Sequence, residues 1–442
     1  MRTPTSRKST PLRRLMRPAM GILLIAGLST GLVACGSGNA KADTASQTAA
    51  TTSTGAHATT TATTTSAAGT ASPSSGSSLL SEDDLFTDRD LEQTADTTHA
   101  ARITVTDGDD VTITEEGVYV LSGTATDCTV IVAADDSAKV QLVLDGLNIT
   151  NDDAPALYVK SADKVFVTTV SDGNAFTVTG EFTADGDTNV DAAVFSRSDL
   201  VLNGTGSLTV ASSANGIASK DDLKVTGGTY DITSTKDALE ANDLVAISDG
   251  TLKMTSSKDG IHSENDDDDT LGHIYICGGT FDITAQDDGI QAKSVVQVDG
   301  GTLAISATEC IEGTYVQVND GTLDLTATDD GINAKADSSS YDVVVEFTGG
   351  DTTITMGPGD TDAVDSNGDI YVRGGTITIS ANSSFDYENQ GSITGGTVTV
   401  NGQQVTEMPA QMMPGGGGGP GGGGGQPGPG GMPGNQQGGQ QR

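Results

Sequence analysis

The chain has 442 residues, with 60 Asp and Glu against 22 Lys and Arg and a formal charge of −38. Six of the bases and no acid lie in residues 1–34, so a chain without that segment carries 60 acids against 16 bases. A surface this acidic repels nucleic acid and anionic lipid headgroups, which excludes nucleic acid as a partner and favours cations or cation-bridged ligands. Aromatic residues make up 4%, Trp is absent and Gly reaches 58, which argues against an ordinary helical or mixed core.

The N-terminus has the pattern of a secretory signal. A basic segment, residues 2–17, is followed by an apolar run from Met20 to Val33. The run is shorter than the about 20 residues that a helix needs to cross a bilayer, so we predict a signal peptide over 1–34. The segment ends in Leu-Val-Ala-Cys, which resembles the lipobox of bacterial lipoproteins. This resemblance predicts lipidation at Cys35. The protein would then be extracellular and attached to the cell membrane through the lipid alone. An ordinary signal peptide with a chance cysteine is the alternative.

Two segments of low complexity flank one candidate folded body. Residues 37–78 are almost entirely Ser, Thr, Ala and Gly, and they cannot bury enough apolar surface to offset the entropy of ordering. We therefore predict a flexible tether over 35–81, in which about 42 residues would span roughly 35 Å. Residues 408–442 are rich in Gly, Pro and Gln and are predicted to be disordered. The folded body is predicted to span 82–407.

Two short phrases recur through the second half of this body. The first is Gly-Gly-Thr or a variant of it, and its third residue is Thr229, Thr251, Thr280, Thr302, Thr322, Asp351, Thr376 or Thr397. A short alternating strand follows each, and the second phrase, Asp-Gly-Ile or a variant, begins about eight residues after the Thr. A third strand then leads to the next glycine pair. Each repeat therefore holds three short strands separated by Gly and Asp turns.

A repeat of this kind predicts an all-β fold, a right-handed single-stranded parallel β-helix with disordered tails. No segment shows the i, i+3, i+4 apolar spacing of helical repeats, and a sandwich would not repeat the same phrase in phase. The two longest repeats carry insertions near 264–271 and 336–341. We expect the segment near 82–125 to cap the N-terminal end, because an exposed strand edge invites aggregation.

Several stretches together resemble a family of secreted bacterial proteins described as carbohydrate-binding domain-containing. They are Ile113–Gly123, Val143–Thr150, Ala154–Tyr158, Asp191–Ser196, Asp199–Gly204 and Asn215–Leu223, and the two repeated phrases extend the likeness to about Val400. The resemblance implies a right-handed parallel β-helix, calcium binding and binding to plant cell-wall or acidic polysaccharides, with no established catalysis. The last repeat departs from the pattern, because Ser383-Ser384-Phe385 stands where Asp-Gly-Ile is expected.

Acidic residues recur at two positions of the second phrase and are predicted to form two columns beside each other. Stacked rungs lie about 4.8 Å apart, and two unit charges at that distance repel by about 3–4 kcal/mol at an effective dielectric constant near 20. Calcium–oxygen distances of about 2.3–2.6 Å let one ion bridge two such carboxylates, so calcium is the predicted cofactor. The alternative is that Asp merely suits tight turns. The predicted ligands are Asp237, Glu240, Asp259, Asp288, Glu309, Glu312, Asp330, Asp362 and Asp365.

The predicted function is calcium-dependent, non-catalytic binding of acidic (pectic) or cellulosic polysaccharide by a monomeric cell-surface lipoprotein. Acidic glycans would bind through bridging cations, whereas neutral glycans would need aromatic platforms, for which Tyr275 and Tyr371 are the candidates. A calcium-dependent lyase is one alternative, with a base drawn from Lys258, Lys293, Lys335, Arg373 and the exposed-column His262. A structural adhesin or stalk that binds a protein is the other. Beyond Cys35 the chain has Cys128, Cys277 and Cys310, an odd number for which we expect free thiols.

Overall fold

A computed structural model describes residues 77–359 and 361–409. Within these ranges the chain is all-β, with 34 strands and one four-residue helix, α1 (Glu82–Leu85). Among the described residues, no helix has both the length and the hydropathy to cross a bilayer. The predicted signal peptide, the lipidation site Cys35, nearly all of the tether and the C-terminal tail from residue 410 lie outside the described residues and stay predictions.

The strands are short, with a few long exceptions. The first seventeen are β1 (Ala101–Thr104), β2 (Val111–Ile113), β3 (Gly117–Thr126), β4 (Val130–Ala133), β5 (Lys139–Asn151), β6 (Leu157–Ser161), β7 (Lys164–Thr169), β8 (Asn174–Val178), β9 (Ala192–Ser196), β10 (Asp199–Gly204), β11 (Ser207–Ser212), β12 (Asn215–Ser219), β13 (Asp222–Ser234), β14 (Leu239–Ala241), β15 (Leu244–Ser256), β16 (Ile261–Ser263) and β17 (His273–Ile276). The next are β18 (Thr280–Ala285), β19 (Asp288–Ala292), β20 (Val295–Val298), β21 (Thr302–Ala307), β22 (Glu309–Gly313), β23 (Tyr315–Val318), β24 (Thr322–Ala327), β25 (Ile332–Ala334), β26 (Val344–Phe347), β27 (Asp351–Met356), β28 (Asp362–Ser366), β29 (Asp369–Val372), β30 (Thr376–Ser380), β31 (Ser383–Phe385), β32 (Gly391–Ile393), β33 (Thr397–Val400) and β34 (Gln403–Val405).

These strands form three parallel ladders. Ladder A contains β1, β3, β5, β7, β10, β13, β15, β17, β20, β23, β26, β29 and β32; ladder B contains β8, β11, β18, β21, β24, β27, β30 and β33 with the second halves of β3, β5, β13 and β15; ladder C contains β2, β4, β6, β9, β12, β14, β16, β19, β22, β25, β28 and β31. The long strands belong to A and B at once and join them into a 22-stranded sheet, while C has 12 strands. Among the named strands only β34, which closes ladder B, pairs in antiparallel fashion. The all-β, parallel character predicted from the repeats is therefore confirmed.

The glycine pairs before the ladder B strands are required by two separate constraints. A Cβ on Gly300 would lie 2.5 Å from the carbonyl oxygen of Cys277 in the preceding repeat, so only glycine permits that approach. Its neighbour Gly301 has φ +93°, a left-handed conformation that side chains disfavour. The strand that follows, β21, alternates between exposed and buried positions, as its sequence predicts.

The interior is a set of stacked aliphatic rows. In ladder C, Ile261, Ile290, Ile311, Ile332 and Val364 are Cα partners in consecutive strands and are all fully buried. Ladders A and B add similar rows, and together they form one continuous apolar cluster. The narrow core explains why the chain needs so few aromatic residues. The three cysteines in the described part of the chain are free, as expected.

Residues 77–93, the strap, lie along the outer side of ladder A. At one end the backbone N–H groups of Leu79 and Leu80 donate to Gln297 Oε1 at 2.8 and 2.7 Å. Phe86 packs on Leu244, Ala246 and Tyr275 in the middle. Part of the segment expected to cap the N-terminal end thus covers a side of the molecule instead, and the prediction of an end cap is wrong for 82–93. Strands β1 and β2 end ladders A and C.

A buried ion pair holds the other end of the strap. Asp90 is fully buried, and its Oδ1 lies 3.1 Å from Lys164 Nζ on β7. The backbone N–H of Thr87 donates to the same carboxylate at 3.0 Å. Asp199 Oδ2 lies 3.4 Å from the same ammonium. Burial opposes ionisation, but the Thr87 N–H and the Lys164 charge together hold the pKa of Asp90 below its usual value.

Replacement of Asp90 by Ala should release the strap. Loss of Asp90 leaves the Lys164 ammonium buried without its main partner. Breaking a buried ion pair lowers the free energy of unfolding by about 3–5 kcal/mol. We expect about 3 kcal/mol here, because Asp199 remains beside the ammonium. Hydrogen exchange of residues 77–93 should accelerate in Asp90→Ala, and the free energy measured by urea unfolding should fall. Asp88→Ala, at an exposed strap position, is the matched control. Equal effects of the two variants would contradict the role of the ion pair.

Candidate functional site

The outer face of ladder C carries the predicted column of polar side chains. Glu240, His262, Gln291, Glu312, Asn333 and Asp365 are Cα partners in successive strands from β14 to β28. The predicted stacking of this column is confirmed, while the role of its acids as metal ligands stays a prediction. Sequence reasoning left Gln291 and Asn333 out of the candidate ligands, although they stand at the same repeat position as the acids.

The six acids of the second column stand at or just before the start of the ladder C strands from β14 to β28, and three of them are buried. Asp237, Asp259 and Asp288 are 4%, 0% and 5% exposed. The Asp259 N–H donates to Asp237 Oδ1 at 3.0 Å, and the Asp288 N–H donates to Asp259 Oδ1 at 3.1 Å. The Asp362 N–H likewise donates to Asp330 Oδ1 at 3.2 Å. One carboxylate oxygen in these pairs therefore joins consecutive rungs, which is a structural role beyond the local turn preference of Asp.

In the first rungs of the column, basic side chains balance the acids. Lys258 Nζ lies 3.3 Å from Asp237 Oδ1 and 3.0 Å from Asp259 Oδ2. His262 Nδ1 lies 3.6 Å from Asp237 Oδ2, and its Nε2 lies 3.6 Å from Glu264 Oε2. Burial opposes protonation of this imidazole, but Asp237 and Glu264 raise the pKa of His262 to about 9.

In the later rungs carboxylates outnumber cations. Gln291 Nε2 donates to Asp288 Oδ2 at 2.7 Å and to Glu312 Oε1 at 2.6 Å. Asn333 Nδ2 donates to Glu309 Oε2 at 3.0 Å and to Glu312 Oε2 at 3.1 Å. Lys335 Nζ lies 2.6 Å from Glu312 Oε1 and forms the ion pair of this cluster. The two amides thus link three carboxylates that a single ammonium cannot neutralise.

Proton binding relieves part of the remaining repulsion. Burial, with the carboxylates of Glu312 and Asp259, raises the pKa of Asp288 to about 8. Burial and the neighbouring Glu312 carboxylate also raise the pKa of Glu309 to about 8. Farther along, burial and three neighbouring aspartates, Asp330 first, raise the pKa of Asp365 to about 7. These acids are held in a state that favours either a proton or another cation.

The two predicted sugar platforms have different surroundings. Tyr275 is 2% exposed because Phe86 of the strap covers it, and its hydroxyl donates to Asp299 Oδ2 at 2.9 Å. Its side chain does point away from the core, as its repeat position indicates, but its ring has no open face for a sugar. Tyr371 is partly exposed and donates to Asp369 Oδ2 at 2.7 Å, while Arg373 lies 4.5 Å from its ring centroid.

The basic side chains considered for a lyase are engaged by acids. Lys293 Nζ lies 3.1 Å from Asp269 Oδ1, and Arg373 Nε lies 2.5 Å from Oε1 of the buried Glu346. The ion pairs of Lys258 and Lys335 outweigh their burial and raise the pKa of both ammonium groups. A base must lose its proton to act, and this environment disfavours that loss.

The carboxyl groups with raised pKa give the metal-free protein a defined pH dependence. Asp288 and Glu309 keep protons in the native state that the unfolded chain releases above its ordinary carboxyl pKa. With a chelator present, the melting temperature should therefore fall as the pH rises from about 4.5 to about 8. Asp288→Asn should flatten this dependence, while Asp324→Asn, on the exposed side of β24, should keep the wild-type slope. A melting temperature that rises over this window would contradict the assignment.

The family model "Carbohydrate-binding domain-containing protein" matches residues 107–314 and 307–410. A protein of the same description from Acetivibrio thermocellus is 45% identical over 202 residues, which cover 45% of this chain and 70% of that one. A solved structure of a polysaccharide lyase-like protein from C. thermocellum, a gadolinium derivative, is 32% identical with a TM-score of 0.45 and covers 47% of this chain and 91% of its own. The chain therefore belongs to the carbohydrate-binding domain-containing family.

Proposed function

We propose that this protein binds acidic polysaccharide without cleaving it, through calcium ions held on the outer face of ladder C. The observation that carries the proposal is the carboxylate cluster of Asp288, Glu309 and Glu312, in which Asp288 and Glu312 are buried. Its one ion-paired ammonium is that of Lys335. Family membership supports carbohydrate as the ligand class. Calcium and the acidic nature of the glycan are inferred from the donors and charges described above.

The donor set fits a hard cation. Carboxylates and amides provide the oxygen ligands that calcium prefers, and calcium tolerates irregular geometry and six to eight ligands. Asn333 Oδ1 is buried without a hydrogen-bond partner, so an oxygen donor in this cluster is unused. Asp288, Glu309, Glu312 and Asn333 would hold one ion, and Asp330, Asp362 and Asp365 would contribute to another. A bound calcium ion would supply the positive charge that a uronate carboxylate needs on this otherwise acidic face.

The earlier rungs fit calcium less well. Asp237 and Asp259 already have Lys258 and His262 beside them, and Glu240 has Lys220 at 3.0 Å. We therefore place the calcium-dependent surface at the later rungs, from β19 to β28. The insertions on one border of ladder C meet there, since Ser338 and Ser339 of the second insertion donate to Asp269 of the first at 2.6 and 2.7 Å.

The ladders also support a finer description of the fold. Consecutive strands pass from C to A to B and return to C one rung along, which is the order of a coil with three faces. Parallel crossovers are right-handed in nearly all proteins. We propose a right-handed single-stranded parallel β-helix, carried outside the cell behind the predicted tether.

Calcium should stabilise the protein through the later rungs. A ligand that binds only the folded state at 100 times its Kd stabilises by about 2.7 kcal/mol, so calcium should raise the wild-type melting temperature above that in EDTA. The double variant Glu309→Gln, Asp365→Asn should lose most of this response. The double variant Asp324→Asn, Asp351→Asn removes the same charge from exposed ladder B positions and should keep it. An unchanged wild-type melting temperature would refute the calcium assignment.

Glycan binding should depend on the same ions. Polygalacturonate should co-precipitate the protein in calcium and release it in EDTA, while a neutral glucan should not retain it in either buffer. The Glu309→Gln, Asp365→Asn variant should lose retention. Formation of unsaturated uronate products, followed by absorbance, would overturn the non-catalytic assignment, and calcium-independent retention would overturn the bridging role of the ion.

The predicted anchor can be tested separately. Full-length protein expressed in a bacterial host should partition with the membrane fraction if Cys35 receives lipid. Cys35→Ser removes the acceptor thiol and should shift the protein out of that fraction. A membrane-bound Cys35→Ser protein would contradict lipidation as the means of attachment.

A further inference from the structure

A second group of potential ligands lies at the start of the column, apart from the proposed calcium cluster. Asp237, Asp259 and His262 each present one ligand atom, and these atoms lie within 4.8 Å of one another. Asp237 and Asp259 come from the turns before β14 and β16, and His262 lies in β16 itself. The group is a set of two carboxylates and one imidazole rather than a run of acids.

Two atoms of the group are buried without hydrogen bonds. Asp259 is fully buried, and its Oδ2 has no hydrogen-bond partner among the described residues. Lys258 Nζ lies 3.0 Å from this oxygen and forms an ion pair with it. His262 Nδ1 is likewise buried without a hydrogen bond in the described structure, 3.6 Å from Asp237 Oδ2. Burial of polar atoms without partners is costly, which indicates that this group accommodates a further ligand.

The imidazole determines which cation the group suits. His262 stands in register between Glu240 and Gln291, at a position where neighbouring rungs provide oxygen donors. Calcium takes oxygen ligands almost exclusively, whereas zinc and related d-block ions readily accept imidazole nitrogen together with carboxylate oxygen. Three protein ligands would leave a fourth position for water, as in catalytic zinc sites.

A cavity of about 300 Å³ adjoins His262 and is lined by Lys220, Glu240 and Glu264, with residues 265–267 of the first insertion on its wall. Of the three ligand residues, His262 is the one that lines this cavity. The Lys258 side chain is 43% exposed, so its ammonium can move into solvent when another cation takes its place beside the two aspartates.

We propose that Asp237, Asp259 and His262 form a binding site for a divalent d-block cation of the zinc class, separate from the calcium cluster. Asp237 and Asp259 would each contribute a carboxylate oxygen, and His262 would contribute its neutral Nδ1. Lys258 occupies the site as a competing cation in the absence of metal. The assignment does not depend on polysaccharide binding and can hold if that function is refuted.

Zinc titration of the full chain tests this site. The chain is stripped of metal and titrated calorimetrically with zinc chloride in excess calcium, which saturates oxygen-only sites. We expect one zinc ion per chain, and His262→Gln should weaken binding at least about tenfold, because it replaces a ligand nitrogen. His99→Gln removes an exposed imidazole and is the matched control. Unchanged zinc affinity in His262→Gln, or an equal loss in His99→Gln, would overturn the proposal.

A second variant gives a result even if His262→Gln does not fold. Lys258→Met removes the competing ammonium and keeps the length of an exposed side chain. Zinc affinity should increase in this variant, because zinc no longer has to displace the Lys258 ammonium from the two aspartates. Unchanged or weaker binding would show that Lys258 and the metal do not share a site and would refute the assignment.

Discussion

Hydrogen-bonded stacking of each rung on the next is the constraint on which the rest of this structure depends. Because the strands are parallel and in register, residues at the same position of consecutive repeats lie about 4.8 Å apart. Aliphatic rows such as Ile261, Ile290 and Ile311 turn this repetition into a continuous core. The close contact of Gly300 with the preceding rung shows how tightly the turns must fit to keep the register.

The same repetition places acids beside acids, and the molecule relieves their repulsion in three ways. Peptide N–H groups donate to one oxygen of Asp237, Asp259 and Asp330, which makes these side chains part of the rung-to-rung bonding. Lysine and histidine neutralise the earlier rungs. In the later rungs Asp288 and Glu309 favour protons, which leaves a place for an external cation. The two columns are thus neutralised by basic side chains in the earlier rungs and by protons in the later rungs, although the backbone beneath them repeats unchanged.

The strap adds contacts that the repeat pattern does not predict. It ties residues far apart in sequence to ladder A, through Gln297 at one end and the Asp90–Lys164 pair at the other. By covering Tyr275 it removes an aromatic ring from the surface, so the side of ladder A beneath it is unsuited to sugar stacking. Ladder C, with its polar outer column and its bordering insertions, is the face to which we assign the proposed polysaccharide site.

The sequence by itself determined the parallel β architecture, the repeat boundaries and the two columns, because the period of glycine, aspartate and isoleucine dictates which residues stack. It could not show which acids were neutralised, since the contacts of Lys258, Lys335 and His262 with acids depend on side-chain geometry that the repeat does not specify. It also could not place the strap, because residues 77–93 carry no repeat and their contacts arise from side chains distant in sequence. Only the tertiary structure decided that Tyr275 is covered and that the oxygen-rich cluster lies in the later rungs. Burial and the partners of each charge depend on neighbours brought together by folding.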